Sequence, residues 1–281
     1  MTVFAPAKIN LALHVTGRRD DGYHSMDMLV AFADIGDRIT LAPAESDDFV
    51  VDGPRARAVP RDGANLVLRA RDALRARFGA VRCPPVSIHL TKSLPAASGM
   101  GGGSSDAAAT LKGLATLWGH AGADLATLGA ALGADVPMCL AARTLRARGV
   151  GEILDPVDGM RPVAAVLVNP GVEVSTPSVF KALDKKDNPP LSGIPELATA
   201  QAVARFIMMT RNDLQRPALA LAPEISDALD ALDATAPLAR RMTGSGATCF
   251  GIYESRETAG RAAASMVTAH PGWFVAATRL G

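Results

Sequence analysis

Between Pro95 and Asp106 the chain reads Pro-Ala-Ala-Ser-Gly-Met-Gly-Gly-Gly-Ser-Ser-Asp, a glycine run that passes straight into an alanine-rich segment. Gly99, Gly101, Gly102 and Gly103 have no Cβ, so the backbone there can take left-handed angles and turn several N–H groups toward one anion. Downstream, Ala107, Leu111, Leu114 and Trp118 recur at helical spacing. They predict an amphipathic helix whose positive N-terminal end points at the same place. Ser104 or Ser105 is its expected N-cap, with Asp106 in the first turn to suit the dipole. Upstream, Val86, Ile88 and Leu90 alternate with Ser87, His89 and Thr91, the period of a half-buried strand. Strand, glycine loop and helix in that order make a phosphate cradle, the plain alternative being a flexible loop without a ligand. Pro95 and the serine pair favour the cradle. Neither Gly-x4-Gly-Lys-Ser/Thr nor the dinucleotide-binding glycine spacing occurs here.

With 281 residues, 48% of them hydrophobic and 20% charged, the chain is expected to fold into one large or two ordinary globular domains. A net charge of +1 gives no basic face for nucleic acid, and aromatic residues at 4% give few rings for stacking bases. Cys83, Cys139 and Cys249 are odd in number and widely spaced, so reduced thiols in a cytoplasm are expected rather than disulfides or a zinc site. The N-terminus lacks a signal-peptide pattern, and the longest apolar region, Leu128 to Ala142, is broken by Asp135 and Pro137. No membrane association is expected.

Strands are predicted over Lys8–Val15, Met28–Ala33, Arg38–Leu41, Val163–Val168, Thr248–Tyr253 and Trp273–Thr278. Helices are predicted over Asn65–Phe78, with Arg69, Arg71, Arg75 and Arg77 on a solvated face, and over Leu125–Leu132, Ala198–Met209, Glu224–Leu232 and Arg256–Thr268. The pattern shifts at Asp155-Pro156, which sets the expected domain boundary; the second half reads as an antiparallel sheet backed by helices. Asp184 to Gly193 reads as an exposed loop.

Three further places are chemically unusual. Lys8 and Asn10 put polar groups on one face of an early strand, where an inward lysine either meets an anion or snorkels at the edge. Asp135, in Gly133-Ala-Asp135-Val-Pro137, is either the N-cap of a helix over Val136–Ala141 or a carboxylate with chemistry to do. Met242-Thr-Gly244-Ser-Gly246-Ala-Thr248 is a small-residue turn that reads either as an ordinary hairpin or as a second wall around the same ligand.

These segments, in this order and over nearly the whole chain, resemble the GHMP kinases. Within that family the similarity is greatest to members acting on a cytidine diphosphate-linked methylerythritol. The residues that carry it are Pro6-Ala-Lys8-Ile-Asn10-Leu, Gly17-Arg-Arg-Asp-Asp-Gly22-Tyr23-His24, the three glycines before Ser104-Ser105, Gly149-Val-Gly151-Glu152 and Thr176-Pro-Ser-Val-Phe180-Lys181. Met100 stands where leucine is commoner, a volume-conserving change.

The resemblance implies an α+β fold of two domains. Residues 1–155 would form a mixed-sheet ATP-binding domain, and residues 156–281 an antiparallel, ferredoxin-like sheet with helices on the substrate side. It implies transfer of the ATP γ-phosphoryl group to the 2-hydroxyl of that alcohol, with Lys8 and Asp135 catalytic and Asn10, Tyr23, His24 and Phe180 on the substrate. ATP would be held by Asn65, Lys92, Pro95, Gly99, Gly101, Gly102, Gly103, Ser104, Ser105, Gly244, Ser245 and Gly246, with Mg2+ carried on the nucleotide and no protein ligand assigned. The partners expected are small molecules only. A homoserine or mevalonate kinase would need another acceptor pocket in place of Tyr23-His24, and an RNA-binding module is disfavoured by the near-neutral charge.

Overall fold

A computed structural model describes all 281 residues, which fall into two compact units. The first comprises Met1–Ala7, Ile35–Ala96 and Gly101–Ala142; the second comprises Lys8–Asp34, Ala97–Met100 and Arg143–Gly281. The chain therefore alternates between units instead of changing over once near residue 155. The reason lies in two long strands, β1 (Thr2–Arg18) and β2 (His24–Pro43), each of which contributes one end to each unit.

In the first unit, Arg38–Pro43 of β2 pair antiparallel with β4 (Val86–Thr91), and β3 (Asp48–Asp52) lies parallel to β4, giving a mixed sheet. Four helices pack together in the same unit: α1 (Leu66–Phe78), α2 (Gly102–Leu117), α3 (Leu125–Leu132) and α4 (Val136–Ala141). The expected stripe of α2 is buried at Ala107, Leu111 and Leu114. A Cβ on Gly113 would lie 2.4 Å from Leu41 Cδ1, so the missing side chain lets the helix rest directly on the sheet. The arginines of α1 are not all solvated. Arg71 and Arg75 both pair with Asp47, and Arg75 also donates to the Cys83 carbonyl at 3.1 Å.

In the second unit, Met26–Val30 of β2 pair antiparallel with β5 (Leu145–Gly149), which pairs in turn with β6 (Ile153–Pro156). Beyond these, β7 (Val163–Asn169), β8 (Ala239–Met242), β9 (Cys249–Tyr253) and β10 (Phe274–Leu280) form an antiparallel array in the order β10-β7-β9-β8. Every residue of β7 is buried, as suits the middle of a sheet. The helices are α5 (Thr176–Lys181), α6 (Ala200–Met209), α7 (Gln215–Leu221), α8 (Glu224–Asp233) and α9 (Arg256–Ala269). No helix is long and apolar enough to cross a membrane.

Most expected elements lie within a few residues of their observed bounds. Two corrections matter for the site. Met28–Ala33 and Arg38–Leu41 are one strand, β2, because Gly36 lets the backbone pass where a Cβ would fall 2.1 Å from the Ala5 carbonyl oxygen. Helix α2 starts at Gly102, capped by the left-handed backbone of Gly101 at φ 63° and not by a serine. Ser105 Oγ donates instead to the Pro6 carbonyl at 2.7 Å, and Asp106 lies beyond the first turn.

Candidate active site

In the second unit the two glycine turns meet. Gly99 has φ +76°, and a Cβ there would lie 2.6 Å from the Thr243 carbonyl oxygen and 2.8 Å from that of Gly246. Gly244 has φ +57°, and its Cβ would lie 2.6 Å from the Gly99 carbonyl oxygen. At both positions only glycine permits backbone to lie on backbone. The Thr248 N–H donates to the Ser98 carbonyl at 3.2 Å, and Asn212 Nδ2 holds the carbonyls of Met242 and Gly244 at 2.8 and 2.9 Å. Ser245 Oγ lies 2.7 Å from Thr176 Oγ1.

The strand bearing Lys8 and Asn10 is tied to the same turns. Lys8 N–H donates to the Met100 carbonyl at 2.9 Å, and Asn10 N–H donates to Thr243 Oγ1 at 2.8 Å. Both side chains are buried, so Lys8 does not snorkel from a strand edge. Asn10 Nδ2 points to Met28 Sδ at 3.3 Å, while its Oδ1 is buried with no protein donor. An amide oxygen so placed costs about 1–3 kcal/mol until a donor reaches it. The structure thus gathers Lys8, Asn10, Gly99, Gly244, Ser245 and Gly246.

Nearby in sequence, Gly22 at φ +88° turns the chain between β1 and β2. Tyr23 N–H donates to Asp21 Oδ1 in that turn, and the phenol is 65% exposed. The His24 ring stacks on Phe180 with centroids 4.8 Å apart and planes 20° apart. Burial, then the charges of Lys186 and Arg18, hold His24 below its usual range, so the imidazole is neutral at physiological pH.

The first unit holds the remaining residues. Gly101 caps α2, its carbonyl accepting from Ser105 N–H at 2.9 Å, and the N–H groups of Gly102, Gly103 and Ser104 before it have no helical acceptor. Beneath them, Lys92 Nζ donates to Asp37 Oδ2 at 2.6 Å and to Asp106 Oδ2 at 2.7 Å, all three residues being buried. A Cβ on Gly102 would lie 3.1 Å from that ammonium. Asp37 Oδ1 also accepts from the N–H groups of Ser93 and Leu94. Burial pushes the Asp106 carboxyl up to about 7 against the attraction of Lys92, with the Asp37 charge adding to the rise. Burial alone would depress Lys92, but its two carboxylates outweigh it and the net direction is upward.

Asn65 serves as N-cap of α1, accepting from Val67 N–H at 2.9 Å and donating to the Pro60 carbonyl at 2.7 Å. Pro95 follows the Asp37-bound backbone of Ser93 and Leu94. Asp135 occupies the cap position of α4, yet its side chain makes no capping hydrogen bond. Capping therefore does not account for this half-buried carboxylate. Lys8 and Asp135 belong to different units. Asp37, Thr243 and Asn212 are new to the site. Their signal was faint: an acid between the two strand-like runs that make up β2, and two ordinary polar residues far along the chain.

The family model described as GHMP kinases N terminal domain matches residues 65–143, and the one described as GHMP kinases C terminal matches residues 195–271. The 4-diphosphocytidyl-2-C-methyl-D-erythritol kinase of Mesorhizobium japonicum is 55% identical over 280 residues, covering 99% of this chain and 95% of that one. Its namesake from Cereibacter sphaeroides is 51% identical, with 99% and 98% covered. A crystal structure of 4-(cytidine 5'-diphospho)-2C-methyl-D-erythritol kinase superposes with a TM-score of 0.82 at 37% identity, covering 100% of this chain and 99% of that one. Homoserine kinase from Cytophaga hutchinsonii, at 21% identity and a TM-score of 0.72, shares the fold. A chain with these strands, these two glycine turns and both halves of the family pattern belongs to the GHMP kinases.

Proposed function

We propose that the chain transfers the γ-phosphoryl group of ATP to the 2-hydroxyl of 4-diphosphocytidyl-2-C-methyl-D-erythritol, giving the 2-phosphate and ADP in the non-mevalonate route to isoprenoid precursors. The observation that carries the acceptor is the near-full-length identity to relatives named for that alcohol. Tyr23, His24 and Phe180 supply rings and a neutral imidazole suited to a cytosine.

The ATP phosphates rest on the N–H groups of the Gly99–Ser105 loop, with Gly244, Ser245 and Gly246 closing on Gly99. Asn65 and Lys92 lie near the adenine end and act there through packing, since the Asn65 amide and backbone groups and the Lys92 ammonium are already bound. Lys8 orients the acceptor hydroxyl and neutralises charge on the transferred group; Asn10 Oδ1 accepts a hydrogen bond from substrate. Asp135 takes the hydroxyl proton. A carboxylate suffices there because phosphoryl transfer passes through a loose transition state in which positioning and charge neutralisation carry most of the rate.

No cluster of three His, Cys, Asp or Glu side chains is available to cage a metal. Backbone N–H groups and a lysine fit the phosphate oxygens, and a Mg2+ carried on the nucleotide would supply bridging charge to those phosphates. The deciding experiment compares turnover on the cytidylated alcohol, mevalonate and homoserine under identical ATP and Mg2+. Turnover confined to the first supports the assignment, and preference for either of the others overturns it.

A further inference from the structure

Between α5 and α6 the chain runs through residues 182–199 without helix or strand, longer than the ~12–15 residues at which a structureless connection becomes uncommon. It is not slack. Leu183, Leu191 and Leu197 are buried, and Asn188 donates to the Val15 carbonyl from both its N–H, at 3.0 Å, and its Nδ2, at 3.2 Å. The Pro189 carbonyl accepts from His14 Nδ1 at 3.1 Å and from Arg211 Nη2. His14 Nε2 in turn accepts from the Arg211 N–H at 3.3 Å, which places the ring proton on Nδ1.

The firmest attachment is at Leu191. Arg146 grips Asp27 in two-pronged fashion, Nε to Oδ1 at 2.8 Å and Nη2 to Oδ2 at 2.6 Å. The pair then takes both backbone groups of one residue: Leu191 N–H donates to Asp27 Oδ2 at 2.9 Å, and Arg146 Nη2 donates to the Leu191 carbonyl at 3.0 Å. Asp27 is buried, so this ion pair is a poor source of net stability, but it specifies where the strap must lie. The strap springs from Phe180, whose carbonyl accepts from Leu183 N–H and whose ring stacks on His24. Asp27 and His24 lie on the same strand, three residues apart. Lys186, on the strap, is one of the cations acting on the His24 imidazole.

We propose that Asp27 and Arg146 are positioning residues for the acceptor: they fasten residues 182–199 as a strap and so hold Phe180 against His24, the ring pair that takes the base of the cytidylated alcohol. This rests on the acceptor assigned above. No role in the chemical step is involved, so the effect should fall on one KM alone.

Asp27→Asn, Arg146→Lys and the double variant are expected to raise KM for the cytidylated alcohol about tenfold, from loss of a hydrogen bond to a charged group. KM for ATP and kcat should stay within about twofold, and the double variant should be no worse than the poorer single one. Equal rises in both KM values, or an unmoved KM for the alcohol, overturn the proposal. Should Asp27→Asn fail to fold, hydrogen exchange on the wild type decides: cytidine 5'-diphosphate should slow exchange in residues 182–199 and ADP should not. Identical exchange with both sinks the strap. Wild-type enzyme that leaves the cytidylated alcohol untouched would instead sink the acceptor assignment, so the two failures are distinguishable.

Discussion

Asp37 and Asp106 share the single ammonium of Lys92 in a place almost without water, so the cluster carries one negative charge too many. Asp106 answers by holding its proton up to about pH 7, against an ordinary value of 3.8. Between those values the folded chain keeps a proton that the unfolded chain has lost. This contribution to stability is complete below about pH 4 and disappears as the pH rises through 7. Asp106→Asn leaves the balanced pair Asp37–Lys92, and we expect it to flatten the decline and to be the more stable protein at pH 8, by about 1–3 kcal/mol. Urea unfolding of both proteins at pH 5 and pH 8 measures the difference; parallel pH dependences would contradict it. Asp135 is a different kind of carboxylate, uncommitted to capping. Asp135→Asn should lower kcat by about 10²–10⁴ while KM for ATP changes little, and a near-normal kcat would remove Asp135 from the chemistry.

The glycine turns act as a unit, and their energetics belong to the pair. Gly99→Ala combines a left-handed backbone, worth about 1–2 kcal/mol, with a Cβ 2.6 Å from a backbone oxygen that cannot step aside. Gly79→Ala has a similar φ, +85°, and nothing within 4 Å. Gly99→Ala should therefore raise KM for ATP tenfold or more, on the order of 1.4 kcal/mol of binding, whereas Gly79→Ala should cost about 1 kcal/mol of stability and leave KM alone. Equal KM values in the two variants would show that the turns do not hold the nucleotide.

Elements whose own residues carried the signal were legible. The stripe of α2 and the bounds of α3 could be read because apolar spacing repeats over whole turns. Elements that depend on a distant partner were not. The cap of α2 is a backbone angle at Gly101, invisible beside two serines that look like caps. Strand β8, Ala-Arg-Arg-Met, gives no apolar alternation because Arg241 is spent on the carbonyls of Ile207 and Thr210 at the end of α6.

For the whole chain, composition and motif order were enough to reach the family, while the division into compact units was not. Sequence patterns are read along the chain, whereas β1 and β2 each serve two units, so no single boundary describes them. The same limit applied to the site. Gly99 read as part of a phosphate cradle and Gly244 as either a hairpin residue or a second wall around the same ligand, and only folding shows that each is small because of the other. Lys8 and Asn10 were visible as misfit polar residues in an apolar strand; their tie to Met100 and Thr243 runs through backbone groups that every residue possesses. The Asp37–Lys92–Asp106 cluster was likewise out of reach, since it brings together acids and a base from β2, the end of β4 and α2.

Asp34, next to the crossing of β2 between units, accepts from the Arg279 N–H at 2.8 Å and from Thr278 Oγ1 at 2.6 Å, and the first of these pairs is 245 positions apart. At a translation rate of roughly 5–20 residues per second, Asp34 leaves the ribosome some ~10–50 s before its partners exist. Throughout that interval β2, the strand that pairs with the one carrying Lys8 and Asn10, has no β10 to meet at Ala33. A newborn chain of this design spends most of its own synthesis with that part of β2 unpaired, and Asn10, whose N–H waits for Thr243 Oγ1, is among the first residues made and among the last to be seated.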